Sequence, residues 1–226
     1  MFVITKHNLN KMEIIDPKTR SIAIIVAHPD DEILWTGGIV LSHPEFKWFI
    51  LCLCRASDKD RAPKFYKVLK ILGADGVMGD LDDGPEQNPL KDKEVEQTIL
   101  QLLPQTHFDL IISHNLTGEY TEHLRHEEIS RAVIMLWQSE KISAKELWTF
   151  AYEDGEKRYL PRAIRAANLY KLLPEEIWQK KYDIITKDYG YNKNSWEAKT
   201  TPKREAFWRF KKSADALFWL TKGGKL

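Results

Sequence analysis

The sequence predicts an α/β protein: a Rossmann-like three-layer sandwich with a mainly parallel central sheet, helices on both faces, and an aromatic-rich C-terminal elaboration. Three observations carry this. Ser21–Ala27 (SIAIIVA), Lys47–Cys54 (KWFILCLC) and Phe108–Ser113 (FDLIIS) are short, almost unbroken apolar runs, as strands buried on both faces require. Stretches of helix-compatible composition separate them. The chain also lacks an internal repeat, a low-complexity tract or a linker.

Taken in order, the first strand leads into a helix over Asp31–Ser42, and the second is followed by a helix over Ala62–Gly73, which Gly73 stops. A third helix over Asp92–Leu103 ends before Pro104. The order β-α-β-α-β-α predicts a doubly wound sheet with right-handed crossovers. His123–Gln138 is the next helix, and Glu146–Glu153 and Ala167–Leu173 read as more alternating strands near the sheet edge. Beyond Pro174 aromatics crowd together, among them Trp178, Tyr189, Tyr191, Trp196, Phe207 and Trp219. Amphipathic helices over 175–187 and 203–221 are expected to pack these rings on the sheet, with at least one ring near the site mouth. The alternative places some of them in a sugar-sized cleft or a subunit contact. Residues 1–226 are read as one domain, with an α/β core over 20–155 and the elaboration over 156–226 packed on it.

Composition narrows the function classes. With 34 basic and 33 acidic side chains the formal charge is +1, so no basic surplus exists to neutralise a nucleic-acid backbone. No run approaches the length of a membrane span, and Met1–Arg20 lacks an apolar segment behind a basic start, so a cytoplasmic protein is expected. Cys52 and Cys54, two apart in a strand, are expected on one face as core thiols. Homo-oligomerisation is left open.

The chemistry concentrates at two strand ends. Directly after the first strand comes Ala27-His28-Pro29-Asp30-Asp31-Glu32, with Gly37-Gly38 one to two turns on. In open α/β sheets ligands gather at the carboxyl ends of strands. Three carboxylates and an imidazole in five residues are costly to desolvate without a cation. A helix cap by Asp30 or Asp31 would account for one acid, but not for His28 and the intervening proline. After the third strand come Ser113-His114-Asn115, a loop, and His123-Leu124-Arg125-His126 opening a helix. Histidines three apart share a helix face, so one can ligate a metal while the other works beside it.

These strings together, AHPDDE followed by GG and a later His-x-x-His behind a strand ending in His-Asn, resemble the PIG-L/LmbE-like zinc-dependent N-deacetylases over roughly residues 20–155. The resemblance implies hydrolysis of the N-acetyl group of an N-acetylglucosamine-type sugar or conjugate. It implies metal ligands at His28, Asp31 and His126, a general base at Asp30, and His123 as the group that stabilises an oxyanion or protonates the leaving amine. The implied cofactor is Zn²⁺ or another divalent ion, and the implied partner is a small amino-sugar substrate. The donor set agrees, since two histidines and a carboxylate leave a zinc position open, as in catalytic sites. Arg61, Asp83 and His114 are the expected substrate contacts, although Asp83-Gly84-Pro85 is also good turn chemistry and Arg61 could be a plain surface arginine. Two departures stand out. Arg125 occupies the place of an acid often found between the histidines, and Trp35 stands before the glycine pair, where it narrows the pocket or packs beneath the helix. Competing readings are an amidase of larger acyl-amino-sugar conjugates and a non-catalytic metal- or sugar-binding protein.

Overall fold

The computed structural model describes Ile15, residues 21–121 and residues 123–224. Apart from Ile15, the Met1–Arg20 stretch therefore lies outside the described residues. Seven strands form the main sheet in the order β3-β2-β1-β4-β5-β9-β8. β1 (Ser21–Val26), β2 (Lys47–Cys54), β3 (Asp75–Leu81), β4 (His107–Ser113) and β5 (Ser143–Phe150) run parallel. β9 (Arg204–Phe210) and β8 (Leu169–Leu172) extend the sheet antiparallel. A two-residue ribbon, β6 (Tyr152–Glu153) with β7 (Arg162–Ala163), stands apart.

Alternation along β1 builds the two cores. Ile22, Ile24 and Val26 face the layer of α1 (Asp31–Ser42), α2 (Arg61–Leu72) and α5 (Glu175–Asp183), and Ala23 and Ile25 face that of α3 (Asp92–Leu102), α4 (Leu124–Gln138) and α7 (Ser213–Thr221). Both faces are covered, so the strands need no polar alternates, and the Rossmann-like three-layer sandwich follows.

Three expectations change. β3 went unread because DGVMGDL carries two glycines and two aspartates and sits at the sheet edge, half exposed, where no apolar run is needed. Residues 203–221 are not one helix. Arg204–Phe210 is a strand locked between β5 and β8, with Leu147 opposite Phe210 and Leu169 opposite Phe207, and only Ser213–Thr221 is helical. Cys52 and Cys54 do not share a face: they belong to opposite cores, because pairing with β3 slips register between them. Both are free buried thiols. No helix among the described residues is long and apolar enough to cross a membrane.

The C-terminal segment is tied to α1 by a buried charge pair. Glu205 of β9 accepts hydrogen bonds from the backbone N–H groups of Gly38 (2.7 Å) and Ile39 (2.9 Å), and Lys181 of α5 bonds the same carboxylate at 2.6 Å. Neither Lys181 nor Glu205 is exposed. Glycine at 38 is required by this approach, since a Cβ there would lie 2.4 Å from Leu173 and 2.9 Å from the Glu205 carboxylate. A π turn, Ile184–Asp188, and α6 (Trp196–Thr200) then carry the chain past the carboxyl ends of the strands.

Candidate active site

Topology brings the two sequence clusters together. β1 and β4 are neighbours, and the connections leave them in opposite directions, which makes their carboxyl ends the switch point of the sheet. There a cavity of about 360 Å³ is lined by His28, Asp30, Asp31, Arg61, Asp83 and His123, together with Tyr120, Tyr191 and Trp196. Tyr191 and Trp196 are the aromatics the tail brings to the mouth.

Three atoms form a near-equilateral triangle: His28 Nδ1 to Asp31 Oδ2 is 3.2 Å, His28 Nδ1 to His126 Nε2 is 3.2 Å, and His126 Nε2 to Asp31 Oδ2 is 3.3 Å. Ligands held ~2.0–2.1 Å from a tetrahedral zinc stand roughly 3.3–3.4 Å apart, so the triangle fits one face of such an ion. Each donor is also aimed. His28 Nε2 pairs with Asp83 Oδ1 at 3.1 Å, and His126 Nδ1 pairs with Glu119 Oε2 at 2.5 Å, leaving the other nitrogen of each ring to face inward. Asp31 Oδ1 accepts from the Trp35 indole N–H at 2.9 Å, and Oδ2 accepts from the His28 backbone N–H at 2.9 Å. Burial alone would lower the His126 pKa, but the carboxylates of Asp31 and Glu119 outweigh it and hold it up at about 10. The cluster is thus built around a positive charge.

Asp30 lies beside the triangle and belongs to none of its edges. Its backbone sits at φ 125°, an outlier for a residue with a side chain, and such strain concentrates where function demands it. Among the described residues its side chain caps no helix N–H. One carboxylate oxygen instead accepts from the Tyr191 hydroxyl, which in turn accepts from Arg61, whose Nη1 lies 3.9 Å from that same oxygen. Burial and the adjacent Asp31 charge raise its pKa to about 7. Glu32 is fully buried, bonded to the Asp30 backbone N–H at 3.0 Å and to the Tyr189 hydroxyl, and burial pushes its pKa up to about 8. It fixes the turn from beneath.

His123 stacks on His126 with centroids 3.7 Å apart and rings 20° from parallel. Burial and the neighbouring imidazoles drive its pKa down to about 2, so it is neutral, and its buried Nδ1 has no partner among the described residues. A neutral ring can donate an N–H, but it holds no second proton to give a leaving amine. Arg125 does not reach His123. It is fully buried, pairs with Glu128 and donates to the Asn88 carbonyl at 3.1 Å, while Glu128 accepts from Leu90 N–H at 2.8 Å. These bonds pin the loop that carries Asp83 onto α4.

Two expected substrate contacts are placed differently. His114 is completely buried outside the cavity lining, accepting from Ala27 N–H at 2.9 Å through Nε2 and facing Glu119 at 2.9 Å through Nδ1, so neither nitrogen is free for a substrate. Asp83 lines the cavity, but Oδ1 is taken by His28 and Gln87 and Oδ2 by Arg55 at 2.9 and 2.5 Å. Burial would raise its pKa, yet these partners hold it well below the usual carboxylate range. Arg61 lines the cavity as expected, held over the Tyr191 ring at 4.6 Å. Glu119 was missed altogether. Its only signal was an acid in the loop between two histidines, each of which needs a partner for its second nitrogen. Arg55, at φ 70° directly after β2, was missed too, although it stands at a strand end.

No family model matches the chain. The uncharacterised protein L374 of Acanthamoeba polyphaga mimivirus is 24% identical over 187 residues, covering 74% of this chain and 75% of its own. Among solved structures, N,N'-diacetylchitobiose deacetylase from Pyrococcus horikoshii superposes with a TM-score of 0.67 at 14% identity, covering 89% of this chain and 86% of that one. The zinc-inhibited form of teicoplanin deacetylase Orf2 gives 0.57 at 13% identity, covering 83% and 97%. This chain has the fold of the PIG-L/LmbE-type deacetylases. That deacetylase fold also houses GalB, the 4-carboxy-2-hydroxymuconate hydratase of Pseudomonas putida KT2440, with a TM-score of 0.58 at 16% identity over 84% and 95%. Fold therefore does not choose the reaction; the residues of the site must.

Proposed function

We propose that this chain is a zinc-dependent N-deacetylase of an N-acetylglucosamine-type amino sugar or its conjugate. The observation that carries the reading is the triangle of His28, Asp31 and His126 donors with an unliganded carboxylate, Asp30, directly beside it. In this reading those three residues hold Zn²⁺ or a similar divalent ion, and the ion supplies Lewis-acid activation of water and of the acyl carbonyl. Asp30 takes the water's proton through the oxygen that Tyr191 leaves free, and a pKa near the working pH suits that task. His123 donates an N–H to the developing oxyanion. Because His123 is neutral, the proton returned to the leaving amine is assigned to Asp30. Leu34, Tyr120 and Trp196 supply apolar wall for the sugar face, and the cavity volume lies within the ~300–1,000 Å³ of small-molecule sites. Since Tyr191 reaches Asp30 from the tail, residues 1–226 are read as one catalytic unit.

The test joins metal analysis to an acetate-release screen over N-acetylglucosamine and its conjugates. One divalent ion per chain and equimolar acetate and free amine are expected. A protein that binds its ion but releases no acetate from any N-acetylated amino sugar overturns the proposal, and hydration of an unsaturated acid would move it to the hydratase reaction.

The residues that aim the ligands give a separate prediction. Trp35→Phe and Glu119→Gln are each expected to weaken zinc binding by roughly 10–100-fold while the fold survives, the usual effect of losing the outer partner of a ligand. Competition with a fluorescent zinc chelator measures this. Unchanged affinity in both variants would place the ion elsewhere.

A further inference from the structure

Helix capping does not explain the setting of Glu32. It stands in the first turn of α1, where the helix dipole favours an acid, and its carboxylate reaches back to the N–H of Asp30, much as the acid of a capping box does. Capping acids belong at the surface, whereas Glu32 has no exposure at all. Burying a carboxylate is costly unless its oxygens are bonded. Here one oxygen accepts from the Asp30 N–H at 3.0 Å and the other from the hydroxyl of Tyr189, 157 residues along the chain. What this arrangement holds is the strained residue. At φ 125° a residue with a side chain would relax if its backbone were free. Glu32 fixes the Asp30 N–H, and the Asp30 carbonyl accepts from the N–H groups of Ile33 at 2.9 Å and Leu34 at 2.8 Å. Tyr191 takes one side-chain oxygen. Among the described residues, the other oxygen is the polar atom of Asp30 left to the cavity.

Both tyrosines come from one short piece of the tail. They flank Gly190, whose φ of 80° is a left-handed conformation that glycine adopts without steric cost. The N–H groups of Tyr189 and Tyr191 bond the carbonyls of Ile184 at 2.9 Å and Ile185 at 3.2 Å, both buried residues of the π turn. From α2, Lys67 pairs with Asp188 at 2.9 Å and the Arg61 guanidinium lies over the Tyr191 ring. The piece is therefore fixed at both of its neighbours. We propose that Glu32, Tyr189 and Tyr191 are positioning residues for the base: Tyr189 holds Glu32, Glu32 holds the strained backbone of Asp30, and Tyr191 selects the carboxylate oxygen that faces the cavity. The proposal rests on the reading of Asp30 as the base. A reacting group displaced by ~1 Å can cost on the order of 10² in rate, so a clamp of this kind has a kinetic consequence. It puts the accuracy of the base in the tail, outside the two sequence clusters that supply the metal donors.

The test compares Tyr189→Phe, Glu32→Leu and Glu32→Gln in the full-length chain. Tyr189→Phe and Glu32→Leu should each lower kcat for acetate release by roughly 10–100-fold, with KM and bound zinc close to wild type. Glu32→Gln should keep most of the rate, because an amide can accept from the Asp30 N–H and donate to the tyrosine oxygen. A merely structural part would lower the melting temperature and leave kcat per zinc-loaded molecule unchanged. Hydrogen exchange of the Asp30 amide, followed by NMR in the metal-free chain, reads the clamp without any turnover. It should run roughly tenfold faster in Tyr189→Phe, the worth of one hydrogen bond, while the β1 amides stay as they were. Tyr66→Phe, which removes an exposed hydroxyl on α2, should alter neither readout. If Glu32→Leu does not fold, Tyr189→Phe decides alone. Wild-type kcat and wild-type Asp30 exchange in Tyr189→Phe overturn the proposal, as does a Glu32→Gln loss as deep as that of Glu32→Leu, which would make the charge of Glu32 the active feature. A wild-type chain that releases no acetate would overturn the reading of the reaction instead, and the Asp30 amide would still judge the clamp.

Discussion

Asp30→Asn is expected to keep the fold and the bound metal while turnover falls by roughly 10²–10⁴, the usual contribution of a positioned general base. The substitution is mild in every respect but one. Asparagine tolerates positive φ better than most side chains, so the φ of 125° at this turn remains accessible. An amide oxygen still accepts from Tyr191, and Asp30 is not an edge of the donor triangle, so metal content should hold. Only the capacity to take a proton is lost. Asp31→Asn should behave oppositely, losing metal first, with activity partly recovered at high zinc, because its Oδ2 stands 3.2–3.3 Å from both histidine donors. A cap role for Asp30 would predict a stability loss of about 1 kcal/mol with no change in catalysis, but its side chain bonds no helix N–H among the described residues. Acetate release and bound zinc, measured on the same preparations, decide the matter. Full activity in Asp30→Asn would overturn its role as the base, and zinc lost from that variant but kept in Asp31→Asn would exchange the two assignments.

Lys181→Met is expected to destabilise the protein by about 3–5 kcal/mol, because it strands the Glu205 carboxylate with no cation in a fully buried site. Burial already lowers the Lys181 pKa, a sign that the ammonium owes its charge to its partner. Two backbone N–H groups, of Gly38 and Ile39, would still bond the carboxylate but carry no formal charge to offset it. In a chain of 226 residues each kcal/mol shifts the melting temperature by roughly 2–4 °C, so a fall of ~6–20 °C should appear in a thermal scan. Glu205→Gln leaves Lys181 unpaired and should fall similarly. The double substitution Lys181→Met, Glu205→Gln should lose less than the sum of the two, since it removes both charges together. A single-variant loss below about 1 kcal/mol would show that water reaches this pair and that α1 and β9 are not locked through it.

The sequence by itself determined the parallel core, the first four helices apart from end residues, and the meeting of two histidine-bearing clusters. Strands buried on both faces cannot hide their composition, and a doubly wound topology carries chemistry-bearing strand ends to one side of the sheet. Wherever burial is partial the signal fails: β3 is an edge strand rich in glycine and aspartate, and β9 takes its conformation from pairing with β5 and β8. The same division runs through the site. His28, Asp30, Asp31, His123 and His126 stand out because polar residues crowd a place where apolar ones were due. Their partners do not, because a hydrogen bond between residues distant along the chain leaves no local pattern. Only the tertiary structure decided that Glu119 aims His126, that Trp35 aims Asp31, and that Asp83 serves His28. It also withdrew His114 behind the site and brought Tyr191, 161 residues along the chain from Asp30, to hold that carboxylate.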